Sequence, residues 1–167
     1  MQTAESTQIP VGQSFDCAMA EQTTRRITRE RGFAGQPSEE IVLAVAELAS
    51  NLVRHAGRGA LTLRPLHSGD RVGIEVAAAD HGPGMRDIEQ AFEDGYTTAG
   101  GLGYGLGTVN RLMDEIEISS AAALGTRILC RRWVRPDNTS RLAGWCRDSA
   151  TPPCHSKWRR LRDSRMG

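Results

Sequence analysis

The apolar residues of this chain change period across a pair of glycines. Ile41, Val45, Leu48 and Leu52 recur at i, i+4, i+7 and i+11, the spacing of one buried helical stripe. Beyond Gly57 and Gly59, Val72, Ile74, Val76 and Ala78 alternate instead, the spacing of a half-buried strand. A second apolar run at 61–66 is separated from that strand by His67-Ser68-Gly69-Asp70, a turn, so the two strands pair as an antiparallel hairpin. Pro37-Ser38-Glu39-Glu40 starts the helix, with Ser38 the expected cap and acidic residues in the first turn.

The rest of the chain extends this mixture. A short apolar segment at 9–11 reads as a first strand, and Cys17, Ala20 and Ile27 mark one face of a helix over 16–31, stopped by Gly32. A short helix is expected over 87–93, then a glycine-laden stretch over 95–107 and a helix over 108–114. Strands at 116–119 and 127–134, turning near Gly125, close the pattern. Hairpin-joined strands mixed with helices give an α+β class: a two-layer sandwich with a mostly antiparallel, mixed sheet and helices on one face. The periodicity ends after Trp133, so the folded domain is expected over 8–134, and 135–167 reads as a basic, disordered tail.

Composition narrows the functional classes. The tail carries eight basic and three acidic side chains, and the first 134 residues carry thirteen basic and seventeen acidic ones. An acidic body is unlike a nucleic-acid-binding surface, where the basic patch lies on the folded domain. No apolar run is long enough for a membrane span, and the first ten residues lack the pattern of a secretory signal, so a cytoplasmic address is expected. Cys17, Cys130, Cys146 and Cys154 have no CxxC spacing and match no familiar zinc site, which fits reduced thiols.

Three motifs carry candidate chemistry. Glu47, Asn51 and His55 recur every four residues and share a helical face away from the apolar stripe. An amide oxygen such as that of Asn51 suits Mg²⁺, and a carboxylate such as that of Glu47 suits proton abstraction; the same face also fits a solvated helix surface. Asp80-His81-Gly82-Pro83-Gly84-Met85 follows the alternating strand. It can present an acceptor carboxylate where Gly82 and Gly84 admit a flat ligand, or it can be an ordinary strand-ending turn. Gly100-Gly101-Leu102-Gly103-Tyr104-Gly105-Leu106-Gly107 precedes a helix start. Backbone N–H groups there favour phosphate, and a glycine-rich lid or a simple flexible linker both fit. The run is neither a Walker A loop nor the dinucleotide fingerprint.

Their order is more specific than any one of them. ExxxN on a helix, DxGxG after a strand, a GxGxGxG run before a helix and Gly125-Thr126 on a late strand together resemble the GHKL (Bergerat) ATP-binding fold. Within it the chain resembles the RsbT-like group of anti-sigma-type serine/threonine kinases. That finer likeness lies in Glu47-Leu48-Ala49-Ser50-Asn51 with Arg54-His55, in Asp94-Gly95-Tyr96-Thr97-Thr98, and in Arg111-Leu112-Met113-Asp114-Glu115.

The resemblance implies ATP and Mg²⁺ as the bound species, with Glu47 as general base or water-positioning acid and Asn51 as Mg²⁺ ligand. It implies that Asp80 binds the adenine amino group in a pocket shaped by Gly82 and Gly84, and that Thr126 lies beside the adenine. Gly101, Gly103, Gly105 and Gly107 would form the hinge and phosphate cradle of a lid; the resemblance gives His55 and Arg111 no firm role. The expected activity is phosphorylation of Ser or Thr on a STAS-domain antagonist protein. The alternative is a switch module that binds and activates a serine phosphatase, with ATP as a structural ligand, or that sequesters a sigma factor.

Overall fold

The structure, a computed structural model, describes residues 5–69, 71–85, 87–88, 90–92, 105–134 and 159–163. Thr7–Val11 (β1) leads into helix Ser14–Glu30 (α1), and helix Gln36–Asn51 (α2) continues directly into a π-helical turn, Leu52–Ala56. The long hairpin Gly59–Ser68 (β2) and Arg71–Asp80 (β3) follows. After a 3-10 turn at Gln90–Phe92 come helix Gly105–Leu112 (α3) and the strands Glu115–Ala121 (β4) and Gly125–Val134 (β5). The sheet order is β1-β2-β3-β5-β4, antiparallel throughout, with Arg159–Asp163 (β6) running parallel to β4 at its outer edge. The α+β, two-layer expectation is what is observed.

β6 is a departure from the expected disordered tail, confined to those five residues. Ile116 pairs with Arg159 and Ser120 with Asp163 in register. Ladder pairing uses only backbone N–H and C=O groups of an open edge strand, so no amphipathic pattern is needed to form it.

Strand alternation places one row of each of β1 to β5 against the helices. Ile9, Val11, Leu61, Leu63, Ile74, Val76, Ile118 and Cys130 face inward and are buried. From above, α2 contributes Ile41, Val45 and Leu48, each fully buried, and α3 contributes Leu106 and Val109. Each such side chain stabilises the fold by about 1.5–3 kcal/mol through burial alone. Pro65 sits in β2 beyond the reach of β1, which pairs with β2 from Gly59 to Leu63, so its missing donor interrupts no β1–β2 ladder bond.

Two local expectations change. The N-cap of α2 is Gly35 rather than Ser38. Pro37 occupies the first turn, where no N–H is required, and the buried Ser38 hydroxyl is engaged 2.7 Å from that of Thr28 on α1. α3 begins at Gly105 rather than at 108, because packing Leu106 and Val109 against α2 outweighs the poor helix propensity of Gly105 and Gly107. The short helix expected over 87–93 reduces to the 3-10 turn, and Glu93 lies outside the described residues.

An ionic lattice fastens the end of the sheet remote from the Asp80 turn. Glu75 is buried and accepts from Arg64 at 2.6 Å and from Arg131 at 2.8 Å, and Arg131 also reaches Glu115 at 2.9 Å. Burial pulls against the Arg131 charge, but the hydrogen bonds to Glu115 and Glu75 outweigh it and raise the guanidinium above its ordinary range. Arg132 joins α2 to β5 by pairing with Glu40, and it also pairs with Asp114 at 2.8 Å. Among the described residues no helix is long and apolar enough to cross a membrane.

Candidate functional site

The helical layer and the sheet part between α2 and the start of β5, leaving a cavity of about 510 Å³. Its apolar wall includes Leu48, Leu52, Ala78, Met85, Leu106 and Ile128, and its polar and charged groups are Asn51, Arg54, His55, Asp80, Asp87 and Thr126. A mostly apolar slot with a few convergent polar atoms suits a flat heteroaromatic ligand carrying a polar tail.

Asp80 ends β3 and is held by the backbone around it. Its Oδ1 accepts the N–H of Gly82 at 2.8 Å and the N–H of Thr126 at 3.2 Å. Among the described residues Oδ2 takes no hydrogen bond, so the carboxylate is fixed through one oxygen and offers the other to the cavity. The close approach of Thr126 to Asp80 depends on Gly125. Its φ is 95°, and a Cβ there would lie 2.1 Å from the carbonyl oxygen of Asp80. Gly84 has the same role on the other side: a Cβ would meet the Ala121 carbonyl oxygen at 2.4 Å. The Ala123 N–H also reaches the Pro83 carbonyl, at 3.1 Å, so the β4–β5 turn is tied onto the Asp80 turn.

On the opposite wall, Asn51 is the last residue of α2, and α3 begins directly against it. A Cβ on Gly105 would lie 3.2 Å from Asn51 Oδ1 and 3.6 Å from Glu47 Oε2, so the bare glycine lets α3 approach those two side chains closely. The following turn is π-helical, closing its backbone ring one residue later than an α-helix. It brings both Arg54 and His55 to the cavity mouth before Gly57, at φ 75°, stops the helix. Basic side chains there suit the anionic tail of a ligand.

The structure thus brings together Asn51, Asp80, Gly84, Gly105 and Thr126 around one cavity. Glu47 is half-buried behind Asn51 and does not line it. Gly82 packs behind the cavity, where a Cβ would meet Ala56 at 2.9 Å. Gly107 is buried in the first turn of α3, not in a loop. Gly101, Gly103 and the 94–98 motif lie outside the described residues.

Ser120 was not among the sequence candidates. It is a buried hydroxyl on the inward phase of Ile116, Ile118 and Ser120, and a polar residue in that phase just before Gly125-Thr126 was the available signal. Among the described residues no cluster of three His, Cys, Asp or Glu side chains could hold a metal ion. Cys17 and Cys130 are free thiols, and burial pushes that of Cys130 up to about 12, with Glu75 nearby adding to the shift.

Helices on one face of an antiparallel sheet, with a strand-end Asp and a helix-borne Asn on facing walls of the cavity between them, define an ATP-binding domain of the Bergerat class. Comparison with known proteins agrees. Residues 16–132 match the family described as histidine kinase-like ATPase domain. The serine/threonine-protein kinase RsbT of Bacillus subtilis (strain 168) is 39% identical over 121 residues, covering 72% of this chain and 91% of that protein. The serine-protein kinase RsbW of Bacillus pumilus (strain SAFR-032) is 33% identical, covering 70% and 81%. The anti-sigma F factor of Thermoanaerobacter sp. (strain X514) is 31% identical, covering 59% and 71%. The chain belongs to the histidine kinase-like ATPase family, among its RsbT-like serine/threonine kinases.

Proposed function

We propose that the protein is an ATP-dependent serine/threonine kinase of a partner-switching module, and that it phosphorylates a STAS-domain antagonist protein. The observation that carries the ATP part is Asp80. A carboxylate pinned through one oxygen by two backbone N–H groups, at the base of an apolar slot, matches the exocyclic amine of adenine. In this reading Gly82 and Gly84 shape the adenine pocket and Thr126 lies beside the base. The ligand's phosphates extend toward Arg54, His55 and the first turn of α3 at Gly105.

The Asn51 side-chain amide on the cavity wall carries a neutral oxygen of the kind Mg²⁺ accepts, and Asn51 is assigned to hold that ion. When bound, that ion would neutralise charge on the transferring phosphoryl group. Glu47, one turn before Asn51, is assigned the proton of the attacking hydroxyl. Its position behind Asn51 and off the cavity wall favours a second reading, in which the domain is a non-catalytic ATP-dependent switch that activates a serine phosphatase or sequesters a sigma factor.

Incubation with γ-labelled ATP, Mg²⁺ and a candidate STAS-domain protein distinguishes the two. Transfer of label that is lost in Glu47→Gln supports the kinase. ATP binding with no transfer to any STAS partner, and intact phosphatase activation, would replace it with the switch.

A further inference from the structure

Ser120 carries one proton and two lone pairs, and three groups stand around it. The Met85 N–H is 2.8 Å from its Oγ, the Gly125 carbonyl oxygen 3.2 Å, and the Thr126 hydroxyl 2.9 Å. Met85 can only donate and the carbonyl of Gly125 can only accept. Satisfying all three contacts fixes every proton: Ser120 accepts from Met85, donates to Gly125 and accepts from Thr126. The Thr126 proton is then turned toward β4, and its oxygen shows the cavity lone pairs alone. The reverse polarity, with Ser120 donating to Thr126, would forgo the bond to Gly125 and free the threonine proton for a ligand.

We propose that Ser120 is a positioning residue that sets the polarity of the Thr126 hydroxyl, so that the base end of the cavity presents acceptors only. Thr126 Oγ1 then acts beside the Asp80 carboxylate, which is itself held as an acceptor by two backbone donors. Such a pair favours a purine with a 6-amino donor and rejects one whose 6-oxo group is an acceptor. The inference rests on the reading that places a nucleotide base at Asp80, and it adds to that reading a discrimination built on β4, behind the cavity wall.

The test is calorimetric affinity of the full chain for MgATP and for MgITP, which replaces the 6-amino group with an oxo group. Wild type is expected to prefer ATP. In Ser120→Ala the ATP-to-ITP ratio should fall about tenfold, the worth of one hydrogen bond of reversed polarity, with ITP binding unchanged or tightened. The double variant Ser120→Ala/Thr126→Val should show the ratio of Thr126→Val alone, since Ser120 acts through Thr126. Ser120→Cys, close in volume with a weaker donor, should show the same fall and serves if the alanine variant does not fold. Equal weakening for both nucleotides, with the ratio kept, would reduce Ser120 to a packing role and overturn the proposal. A wild type that binds both nucleotides equally also overturns the proposal, whereas one that binds neither overturns the placement of a base at Asp80.

Discussion

Replacing Gly125 with alanine tests whether close backbone contact builds the site. The added Cβ would meet three backbone atoms: the Asp80 carbonyl oxygen at 2.1 Å, and the Asp80 carbonyl carbon and His81 Cα, each at 2.8 Å. No side chain can swing aside, so β5 must retreat from β3 by roughly 1 Å to restore van der Waals contact. The φ of 95° adds about 1–2 kcal/mol for any residue with a Cβ. Retreat also stretches the 3.2 Å bond from the Thr126 N–H to Asp80 beyond hydrogen-bonding range, removing about 1.5–3 kcal/mol because the acceptor is charged. The expected loss is about 3–5 kcal/mol, against a typical domain stability of about 5–15 kcal/mol.

Gly69→Ala is the matched control. Its φ is 61° with nothing within 4 Å of the added Cβ, so it carries the conformational cost of about 1 kcal/mol and no contact. Urea unfolding of both variants gives the difference, and calorimetry gives ATP affinity. Gly125→Ala should be the weaker by about 2 kcal/mol or more and should bind ATP at least tenfold less well, with Gly69→Ala binding normally. Equal unfolding midpoints, or undiminished ATP affinity in Gly125→Ala, would refute the argument that this contact holds Asp80 in place.

Other expectations follow from the same geometry. Asp80→Asn keeps the shape but replaces a charged acceptor, and ATP affinity measured by calorimetry should fall about 10–100-fold, with unfolding shifted little. Asn51→Ala should abolish the Mg²⁺ dependence of ATP binding; unchanged affinity in the presence of Mg²⁺ would remove Asn51 from the site. Glu47→Gln should bind ATP normally and lose about 10²–10⁴-fold in phosphoryl transfer, read from labelled partner. Cys130 should resist alkylation in the native protein near neutral pH, because its thiol is buried with its pKa pushed up to about 12; mass spectrometry of the labelled chain checks this. The sign for stability follows. Folding favours the protonated thiol, so its contribution is complete below the unfolded pKa of about 8.5 and is lost as pH rises toward 12.

The strands were legible because a buried row repeats every second residue: Val72, Ile74, Val76 and Ala78 announce β3, and Ile116 and Ile118 announce β4. α2 was legible from its stripe, and Asn51 and Asp80 from their places at the ends of α2 and β3. What escaped depends on contacts distant in sequence. Ser38 looks like a cap until Thr28, ten residues earlier, is found bonded to it. The glycines at 105 and 107 look like loop until Leu106 is seen buried beneath α2. Ser120 is a short polar side chain near a turn, and only the folded sheet sets it between Met85 and Thr126. His55 was legible from its four-residue spacing to Asn51, whereas the π-helical turn that carries Arg54 and His55 at the cavity mouth is encoded by no pattern of apolar residues.

That turn has a consequence for chain length. A single-turn π-helix is, in covalent terms, an insertion of one residue absorbed without interrupting the helix. Removing one residue between 52 and 56 would restore a regular α-helical ladder and leave Asn51 and Asp80 where they are. It would also change the angle at which Arg54 and His55 project relative to Asn51. The spacing from Asn51 to Gly57 therefore bears on the site, and a chain one residue shorter here would keep the motif residues while presenting Arg54 and His55 to the mouth at a different angle.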